Sequence, residues 1–419
     1  MPEPGLDTQK TIFNTLASFE VMIPSPLKDR LEITPVEVNL VESLLTPGLQ
    51  TSVTFHSYMN SLAYYIDNNY VGGEVKNFDN FKGKDLEIII ERPILAEYKT
   101  QYRLPIRQVA YRLSNRKLLN MNTEMFTIHG CDPSLLNDAN ALVNQAWKCV
   151  TPSSIAAQVL SACAGVSEMD IESSGPARDY VAKNVRPFKV VADQSEVALA
   201  NGDDPSFVHY MTYQNYGTHH FRSLQSLTSQ NPVAKFAFSE VGSSNGYGNP
   251  FTIIDYSFPC DFDLLADILN GVGLKGNPIT SLISFNPALF SMGLFGTQQI
   301  GCGIGAGDTM VSFTNLGSAT EQASCNLEVE KYLPRRQARM SLLEQDKVAL
   351  RVTVPWNPSL NAGKVITVEL YDKSSPGAAT YTYGSGNYLI ASVVHNIKQG
   401  GFATTTMDCV STTVGIGVV

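Results

Sequence analysis

The chain has 419 residues, too many for one ordinary hydrophobic core, so two to four domains are expected. Hydrophobic residues make up 43% and charged residues 16%, which is typical of a globular protein with a largely neutral polar surface. The formal net charge of −9 argues against a protein that wraps nucleic acid with Lys and Arg. The opening residues MPEPGLDTQK lack a signal-peptide pattern, so we expect assembly in a reducing cytosol.

Residues 1–132 are predicted to form a β-rich domain. Val36, Val38 and Leu40 alternate with polar residues, which indicates a strand with one buried face. A Thr-Pro-Gly turn follows at 46–48, and the next segment returns with the same alternation. The predicted strands of this domain cover 36–56, 85–91, 104–113 and 124–131.

Residues 133–334 are predicted as an α+β region, and their 9 basic and 18 acidic residues make them the acidic part of the chain. Three segments join a capping residue to a following proline, which favours the start of a helix. They are DPSLLNDANALVNQAW from Asp132, TPSSIAAQVLSACAG from Thr151 and DDPSFVHYMTYQNYG with its cap at Asp204. A fourth short helix is predicted after Asp261. The segment THHFRSLQSLTSQNPVAKFAF, directly after Gly217, is predicted to form a strand, a turn and a second strand.

A stretch without charge, residues 276–307, is long enough to imitate a membrane span. Two Asn-Pro pairs, a Gln pair and scattered glycines interrupt it. We therefore interpret it as an irregular segment that is buried or covered by another subunit.

Residues 335–419 are predicted to be β-rich again, with strands at 349–356, 364–371, 388–397 and 402–411. The two β ends share a pattern, because Gly83–Glu91 (GKDLEIIIE) matches Gly363–Leu370 (GKVITVEL). Downstream, Ile106, Val109, Tyr111 and Leu113 align with Ile390, Val393, His395 and Ile397. This similarity predicts an internal duplication, although any two antiparallel sheets can share such patterns.

The strand predicted at 388–397 is apolar on both faces. Strict alternation places Leu389, Ala391, Val393, His395 and Ile397 on one face, and Tyr388, Ile390 and Val394 on the other. A strand that is apolar on both faces is covered on both faces. One cover would be a barrel core, and the other would be a second domain or a neighbouring subunit.

Three stretches resemble the baseplate hub proteins of contractile-tailed bacteriophages, whose fold also forms the base of type VI secretion spike trimers. They are VNLVESLLTPGLQTSVTF, DDPSFVHYMTYQNYGTHHFRSL and a tail comprising RRQARM, LNAGKVITVEL and GNYLIASVVHNI. In the second stretch, the resemblance lies in an acidic-led helix, a glycine and an extended Phe-Arg strand. The three stretches follow the family order over nearly the whole chain, and the match is closest to hubs of T-even-like myoviruses.

The resemblance implies two tube-like antiparallel β-barrel domains, 1–132 and 335–419, with an inserted α+β region at 133–334. It implies a homotrimer whose six barrels join a sixfold tail tube, or its initiator protein, to a threefold central spike. The middle region would contact other baseplate proteins, and viral DNA would pass through the channel without specific binding. The chain would be a virion component that assembles in the host cytoplasm. We expect a channel wall that is mostly polar and neutral or acidic.

Patterns that could carry catalysis are weak, and we predict a protein that is not an enzyme and needs no cofactor. GSSNG at 242–246 lacks the following helix of a nucleophile elbow, and GCGIGAG at 301–307 lacks the spacing of a dinucleotide fingerprint. The histidines, of which His209, His219 and His220 are the only cluster, have no ligand partners at metal-binding spacing. The seven cysteines form no CxxC pair, so they are interpreted as reduced.

Subunit contacts are therefore the functional sites that we predict. The candidate residues are Arg335, Arg336, Arg339, Tyr388, Ile390 and Val394. Two alternatives remain open at this point: another tail component, such as a tube initiator or distal tail protein, and a secreted hydrolase or carbohydrate-binding β protein.

Overall fold

Two β units and a middle region with helices make up the described part of the chain. The computed structural model describes residues 18–22, 33–58, 83, 85–92, 102–201, 203–214, 217–238, 251–259, 279–280, 312–313, 336, 339–340, 343, 350–370, 384–399 and 403–411. The predicted helix after Asp261 and both glycine-rich motifs lie outside these residues, as does all of 276–307 except Ile279–Thr280. None of the described helices is both long and apolar enough to cross a membrane.

The first β unit is a curled antiparallel sheet of six strands. They are β1 (Ser18–Met22), β2 (Ile33–Ser43), β3 (Gln50–Tyr58), β4 (Asp85–Arg92), β5 (Tyr102–Asn120) and β6 (Thr123–Cys131). Their spatial order is β1-β4-β5-β6-β3-β2. Every second residue of β3 is buried, and Val53 and Phe55 meet Ile88 and Phe126 in the core. The strands predicted for this domain are confirmed.

The middle region packs helices against two small sheets. Its elements are α1 (Pro133–Asn140), β7 (Val143–Val150), α2 (Pro152–Ala162), β8 (Met169–Ile171), β9 (Arg178–Val185), α3 (Pro187–Val197), β10 (Phe207–Thr212), β11 (Thr218–Ser223) and α4 (Leu224–Thr228). One sheet has the order β10-β11-β8, and β7 pairs with β9. The core of the region includes Ile155, Val190, Phe207 and Phe221.

Two helix predictions in this region fail. The helix that Asp132 caps ends at Asn140, and the chain turns into β7 before the end of the predicted stripe. The predicted helix at 204–217 is wrong, because this segment contains strand β10, whose six residues are all buried. The Asp204 carboxylate accepts a hydrogen bond from the Ser206 hydroxyl instead of capping a helix. Tertiary burial here overrides a good local helix signal.

The second β unit is a closed barrel. The remaining strands are β12 (Ala234–Ala237), β13 (Asp255–Ser257), the short parallel pair β14 (Ile279–Thr280) and β15 (Ser312–Phe313), β16 (Leu350–Pro355), β17 (Val365–Glu369), β18 (Gly386–Lys398) and β19 (Ala403–Val410). The barrel order is β12-β17-β18-β19-β16-β13. The segment before β13 closes it: Ala237 N–H donates to Phe251 O (3.1 Å), and Ile253 N–H donates to Ala237 O (3.0 Å).

This barrel begins about a hundred residues before the expected boundary at 335. Strands β12 and β13 come from the part of the sequence that was assigned to the middle region. Phe236 of β12 lies in the barrel core, and Tyr256 of β13 packs against that core. The predicted boundary therefore does not separate the second β unit from the middle region.

The two β units share one topology. When the six strands of each unit are numbered 1 to 6 along the chain, with the separate pair β14 and β15 left out, both units have the spatial order 1-4-5-6-3-2. The first pairing differs, because β1 runs antiparallel to β4 whereas β12 runs parallel to β17. Gly83 and Gly363 both have positive φ, and their N–H groups donate to Ala110 O and Ile390 O at 2.8 and 2.9 Å. These bonds make residue 110 equivalent to residue 390, so the aligned pair Ile106 and Ile390 is four residues out of register. A β-bulge follows at the same place in both units.

Candidate assembly interface

The two β units are joined edge to edge within the chain by strands β2 and β18. Strand β18 divides one of its edges between two partners: Gly386–Leu389 pair with β17 of the same unit, and Ser392–Lys398 pair with β2 of the first unit. The pairing with β2 is antiparallel and places Val394 opposite Val41. A single sheet therefore continues from one unit into the other. We call this contact the β2–β18 junction.

A bulge in β18 changes the predicted assignment of its faces. The register shifts between Ile390 and Ser392, so strict alternation fails at Ala391. As a result Tyr388, Ile390 and Val393 share the core of the second unit. The chain itself covers Tyr388 and Ile390 completely, so they are not accessible to a neighbouring subunit.

The second apolar face of β18 is covered by the middle region. Leu389 and Ala391 pack in one cluster with Val208, Tyr210 and Leu224. The sequence allowed either a second domain or a neighbouring subunit to cover this face, and in the structure the middle region of the same chain covers it. Val394 lies beyond this contact and remains exposed beside Val41.

The end of the β18–β19 hairpin completes the core of the first unit. Ile397 and Ala403 flank the hairpin turn, and together with Trp356 they are buried among Val38, Phe55 and other first-unit residues. Burial of one such Ile side chain contributes about 1.5–3 kcal/mol. The junction is therefore a packed interface as well as a pair of hydrogen-bonded strands.

One face of the joined sheet is open and mostly neutral. Cross-strand side-chain contacts identify it: Thr353 with Thr406 (3.1 Å), and Thr54 with Thr127 (3.2 Å). On the four central strands its residues are Gln50, Ser52, Thr54, His56, Glu37, Asn39, Val41, Ser43, Ser392, Val394, Asn396, Lys398, Thr404, Thr406 and Asp408. Charged side chains are few among them, and the Asp408 carboxylate pairs with Arg351 from β16 (2.6 Å). We call this surface the polar face.

A buried carboxylate ties the junction to both other parts of the chain. Glu42 of β2 accepts hydrogen bonds from the N–H groups of Tyr213 (2.8 Å) and Ala362 (2.9 Å). It also accepts one from Asn361 Nδ2 (3.0 Å). Burial raises the pKa of Glu42 from 4.5 to about 7, although the three donors favour the charged form. Glu42 was not among the residues predicted from the sequence, yet it follows Val38 and Leu40 on the inward face of β2, and this alternation is a signal that could have identified it.

The basic segment was predicted to contact another subunit, but its described arginines bind to other residues of the same chain. The Arg336 guanidinium donates to Pro205 O (2.8 Å) and Phe207 O (3.1 Å), and Arg339 pairs with the buried Asp204 carboxylate (3.2 Å). These contacts hold the segment on the start of β10. Arg335 lies outside the described residues.

The histidine cluster is a buried hydrogen-bonded chain. Ser134 Oγ lies 3.0 Å from His219 Nε2, and His219 Nδ1 lies 3.1 Å from His209 Nε2. The neighbouring His220 points to the opposite face and contacts Asp170 (3.0 Å), as strand geometry predicts. Burial lowers the pKa of His219 to about 4, which keeps it neutral. Among the described residues, no group of three or more His, Cys, Asp or Glu could hold a metal ion.

The described cysteines are not all reduced. Cys149 is disulfide-bonded, so the prediction of seven reduced cysteines is wrong for this residue. Cys131, Cys163 and Cys409 are free.

Comparison with known proteins identifies the fold. No protein-family model and no curated protein match the sequence. The solved 43 kDa tail protein of prophage MuSo2 from Shewanella oneidensis matches with a TM-score of 0.51 and 10% identity, over 94% of this chain and 97% of that chain. A tail protein from Neisseria meningitidis MC58 matches with a TM-score of 0.53 and 9% identity, over the same shares of both chains. The chain therefore has the fold of phage tail proteins, which confirms the resemblance at the level of the fold.

Proposed function

We propose that this chain is a structural subunit of a phage tail baseplate, and that three copies form the hub that continues the tail tube. One observation carries the proposal: the chain holds two β units of the same topology, joined edge to edge into one sheet. Three such chains supply six equivalent units in a ring with approximate sixfold symmetry. The ring can therefore match a sixfold tube on one side and a threefold spike on the other.

The polar face is proposed as the wall of the central channel. Thr, Ser, Asn and Gln side chains dominate its four central strands, and the chain as a whole has an acidic balance. Such a wall offers few cations to the phosphates of passing DNA, so the DNA is neither bound nor retained.

The middle region is proposed to face the other baseplate proteins. It covers the second unit beside the junction, and its described surface keeps an exposed apolar side chain at Val181. The central spike and the tail tube or its initiator are the proposed axial partners. Assembly takes place in the host cytoplasm, and the product is part of the virion. In this proposal the protein has a mechanical role that depends on its subunit interfaces, and it catalyses no reaction.

The oligomeric state of the purified chain tests this function. Light scattering or native mass spectrometry is expected to give a trimer, and negative-stain images are expected to show a ring with a central opening. A hexamer would favour a tube initiator or distal tail protein. A stable monomer at all concentrations would overturn the hub assignment.

A further inference from the structure

We propose that the outer end of the β5–β6 hairpin docks on strand β13 of a second copy of this chain, in the way that the β18–β19 hairpin docks on β2 within one chain. The inference deepens the proposed function, because it names the surfaces through which neighbouring copies would join. It rests on the equivalence of the two β units and on exposed side chains that this equivalence explains.

The equivalence can be followed residue by residue along the two long strands. The hydrogen bonds from Gly83 and Gly363 make residues 110 and 390 equivalent, and the shared bulge then makes Arg112 equivalent to Ser392. Strand β5 has two further register shifts, between Ser114 and Lys117 and between Leu118 and Asn120. Between these two shifts, cross-strand pairing makes 117 and 118 equivalent to 396 and 397.

Among the residues that the structure describes, the outer part of strand β5 has one unpaired edge where β18 has a partner. Strand β4 pairs with β5 only as far as Val109, and Gly83 bonds to Ala110. In the described part of the chain, residues 111–120 are paired on their other edge alone, with β6. The equivalent stretch of β18, Ser392–Lys398, pairs with β2.

A matching open edge lies on the second unit. Strand β13 occupies the position in the second unit that β2 occupies in the first, and the described residues give it β16 as its only paired strand. Pairing through β16 and β3 makes Asp255, Tyr256 and Ser257 equivalent to Glu37, Val38 and Asn39. These last three are the residues on which Lys398, Ile397 and Asn396 dock.

Side-chain exposure supports the docking. Ile397 is fully buried, because the junction places it in the core of the first unit, whereas the equivalent Leu118 is 61% exposed. Leu119 and Met121 at the same hairpin end are also exposed, at 45% and 89%. On the receiving side, Ile254 beside β13 is 46% exposed. Both surfaces are apolar, and a copy-to-copy junction would cover them together.

The transferred register defines specific contacts. Leu118 would lie opposite Tyr256 of the second copy, and Lys117 opposite Ser257 of the second copy. Lys117 would also be a diagonal neighbour of Asp255 in that copy, a favourable pairing of charges across strands. The contact is head-to-tail, so repeating it in one direction produces a ring or an open chain.

The first experiment changes one exposed residue and measures assembly. Leu118→Asp is expected to convert the oligomer into monomers, because the contact would bury an unpaired carboxylate in an apolar core. Leu142→Asp is the matched control, since Leu142 is 60% exposed and lies in the middle region. The control is expected to keep the wild-type mass by native mass spectrometry. Circular dichroism and the thermal midpoint of both variants show that the chain itself is folded.

The second experiment tests the register directly. Residues opposite each other in an antiparallel pair have Cα atoms about 4.5–5.5 Å apart, a separation that a disulfide spans. A chain carrying both Lys117→Cys and Ser257→Cys is expected to form covalent dimers and larger species on a non-reducing gel under mild oxidation. Each single variant, and the pair Leu142→Cys with Ser257→Cys, is expected to stay at the mass of one chain.

The outcomes separate this inference from the proposed function. A trimer in the wild type that Leu118→Asp dissociates, together with cross-linking by the designed pair, supports both. A wild-type trimer that Leu118→Asp leaves intact, without cross-linking, overturns the docking and leaves the hub assignment standing. A wild-type monomer overturns both.

Discussion

Glu42 is the residue whose chemistry bears most directly on how the three parts of the chain hold together. Its carboxylate accepts hydrogen bonds from the middle region through Tyr213 and from the second unit through Asn361 and Ala362. Tyr213 and Tyr210 are the titratable side chains that interact with it electrostatically. Because burial raises its pKa from 4.5 to about 7, its protonation state changes near neutral pH.

The pH dependence of the unfolding free energy is expected to show the ionisation of the Glu42 carboxyl group. Between pH 4.5 and 7 the unfolded chain has lost the Glu42 proton while the folded chain keeps it, so stability falls as the pH rises through this window. In Glu42→Gln this contribution is absent. From pH 5 to pH 8 the variant should therefore gain about 2–3 kcal/mol relative to the wild type. Denaturant unfolding of both proteins measures the difference, and parallel pH profiles would contradict the prediction.

Two equivalent glycines provide a matched pair of substitutions. Both need positive φ, but a Cβ at Gly363 would lie 2.5 Å from the Tyr210 hydroxyl, whereas a Cβ at Gly83 meets nothing within 4 Å. Gly83→Ala is expected to cost only the conformational strain, about 1–2 kcal/mol. Gly363→Ala should cost more, because Tyr210 must also leave its place between the middle region and the second unit. Thermal unfolding compares the two, and equal losses would argue against the Tyr210 contact.

At the scale of elements, the bulge in β18 allows one strand to belong to two units. Before the bulge, Leu389 and Ala391 face the middle region; beyond it, Ser392 and Val394 lie on the polar face while Ile397 enters the first core. A one-residue change of register moves every following side chain to the other face of a sheet. The single extra residue therefore determines which side chains reach the first core.

Insertion of one alanine after Ser392 tests this role. With Tyr388 and Ile390 held in the second core, the insertion would turn Val393 and Ile397 toward the opposite face of the sheet. We expect a large loss of soluble folded protein. Ala391→Gly keeps the residue count and the backbone bond from Leu44 N–H to residue 391 O, so it should cost only about 1 kcal/mol. Soluble yield and the thermal midpoint distinguish the two, and a stable insertion variant would refute the assignment.

The strands were predictable from sequence to within a few residues, because a two-residue alternation survives wherever one face is buried. The bulge was not, since nothing at Ala391 distinguishes it from an ordinary strand residue. Strict alternation therefore assigned Tyr388 and Ile390 to a subunit interface, although they lie in a core. The duplication was visible, but its register was four residues out, because it followed similar apolar residues instead of the hydrogen bonds from Gly83 and Gly363.

Other features depend on contacts between residues that are distant in sequence. Strands β12 and β13 join β16 and β17 across more than ninety residues, so sequence order placed them in the wrong domain. Strand β10 carries the local signal of a helix start, and only its burial between the middle region and the second unit makes it extended. Glu42 was recognisable only by its inward phase, and its three donors come from the other two parts of the chain.

At the scale of the whole molecule, the neutrality of the polar face predicts how the assembled ring treats DNA. The wild-type assembly is expected to show no binding of double-stranded DNA at about 100 mM salt. Ser52→Lys combined with Thr404→Lys adds two cations per chain to this face and should create binding that weakens steeply with salt. Fluorescence anisotropy measures both proteins, and the same pair of substitutions at Asn144 and Gln145 on exposed β7 serves as the control. Tight binding by the wild type would contradict the proposed channel wall.

The β2–β18 junction also determines when the amino-terminal unit can complete its folding during synthesis. Strand β2 is made early, but its partner β18 ends at Lys398, and at about 5–20 residues per second the interval is roughly 20–70 s. Throughout that time the nascent chain carries a first unit that lacks Trp356, Ile397 and Ala403 from its core. The amino-terminal unit therefore cannot reach its final packing on the ribosome before the carboxyl-terminal strands emerge, and a chain truncated before β18 would lose the structure of its beginning as well as of its end.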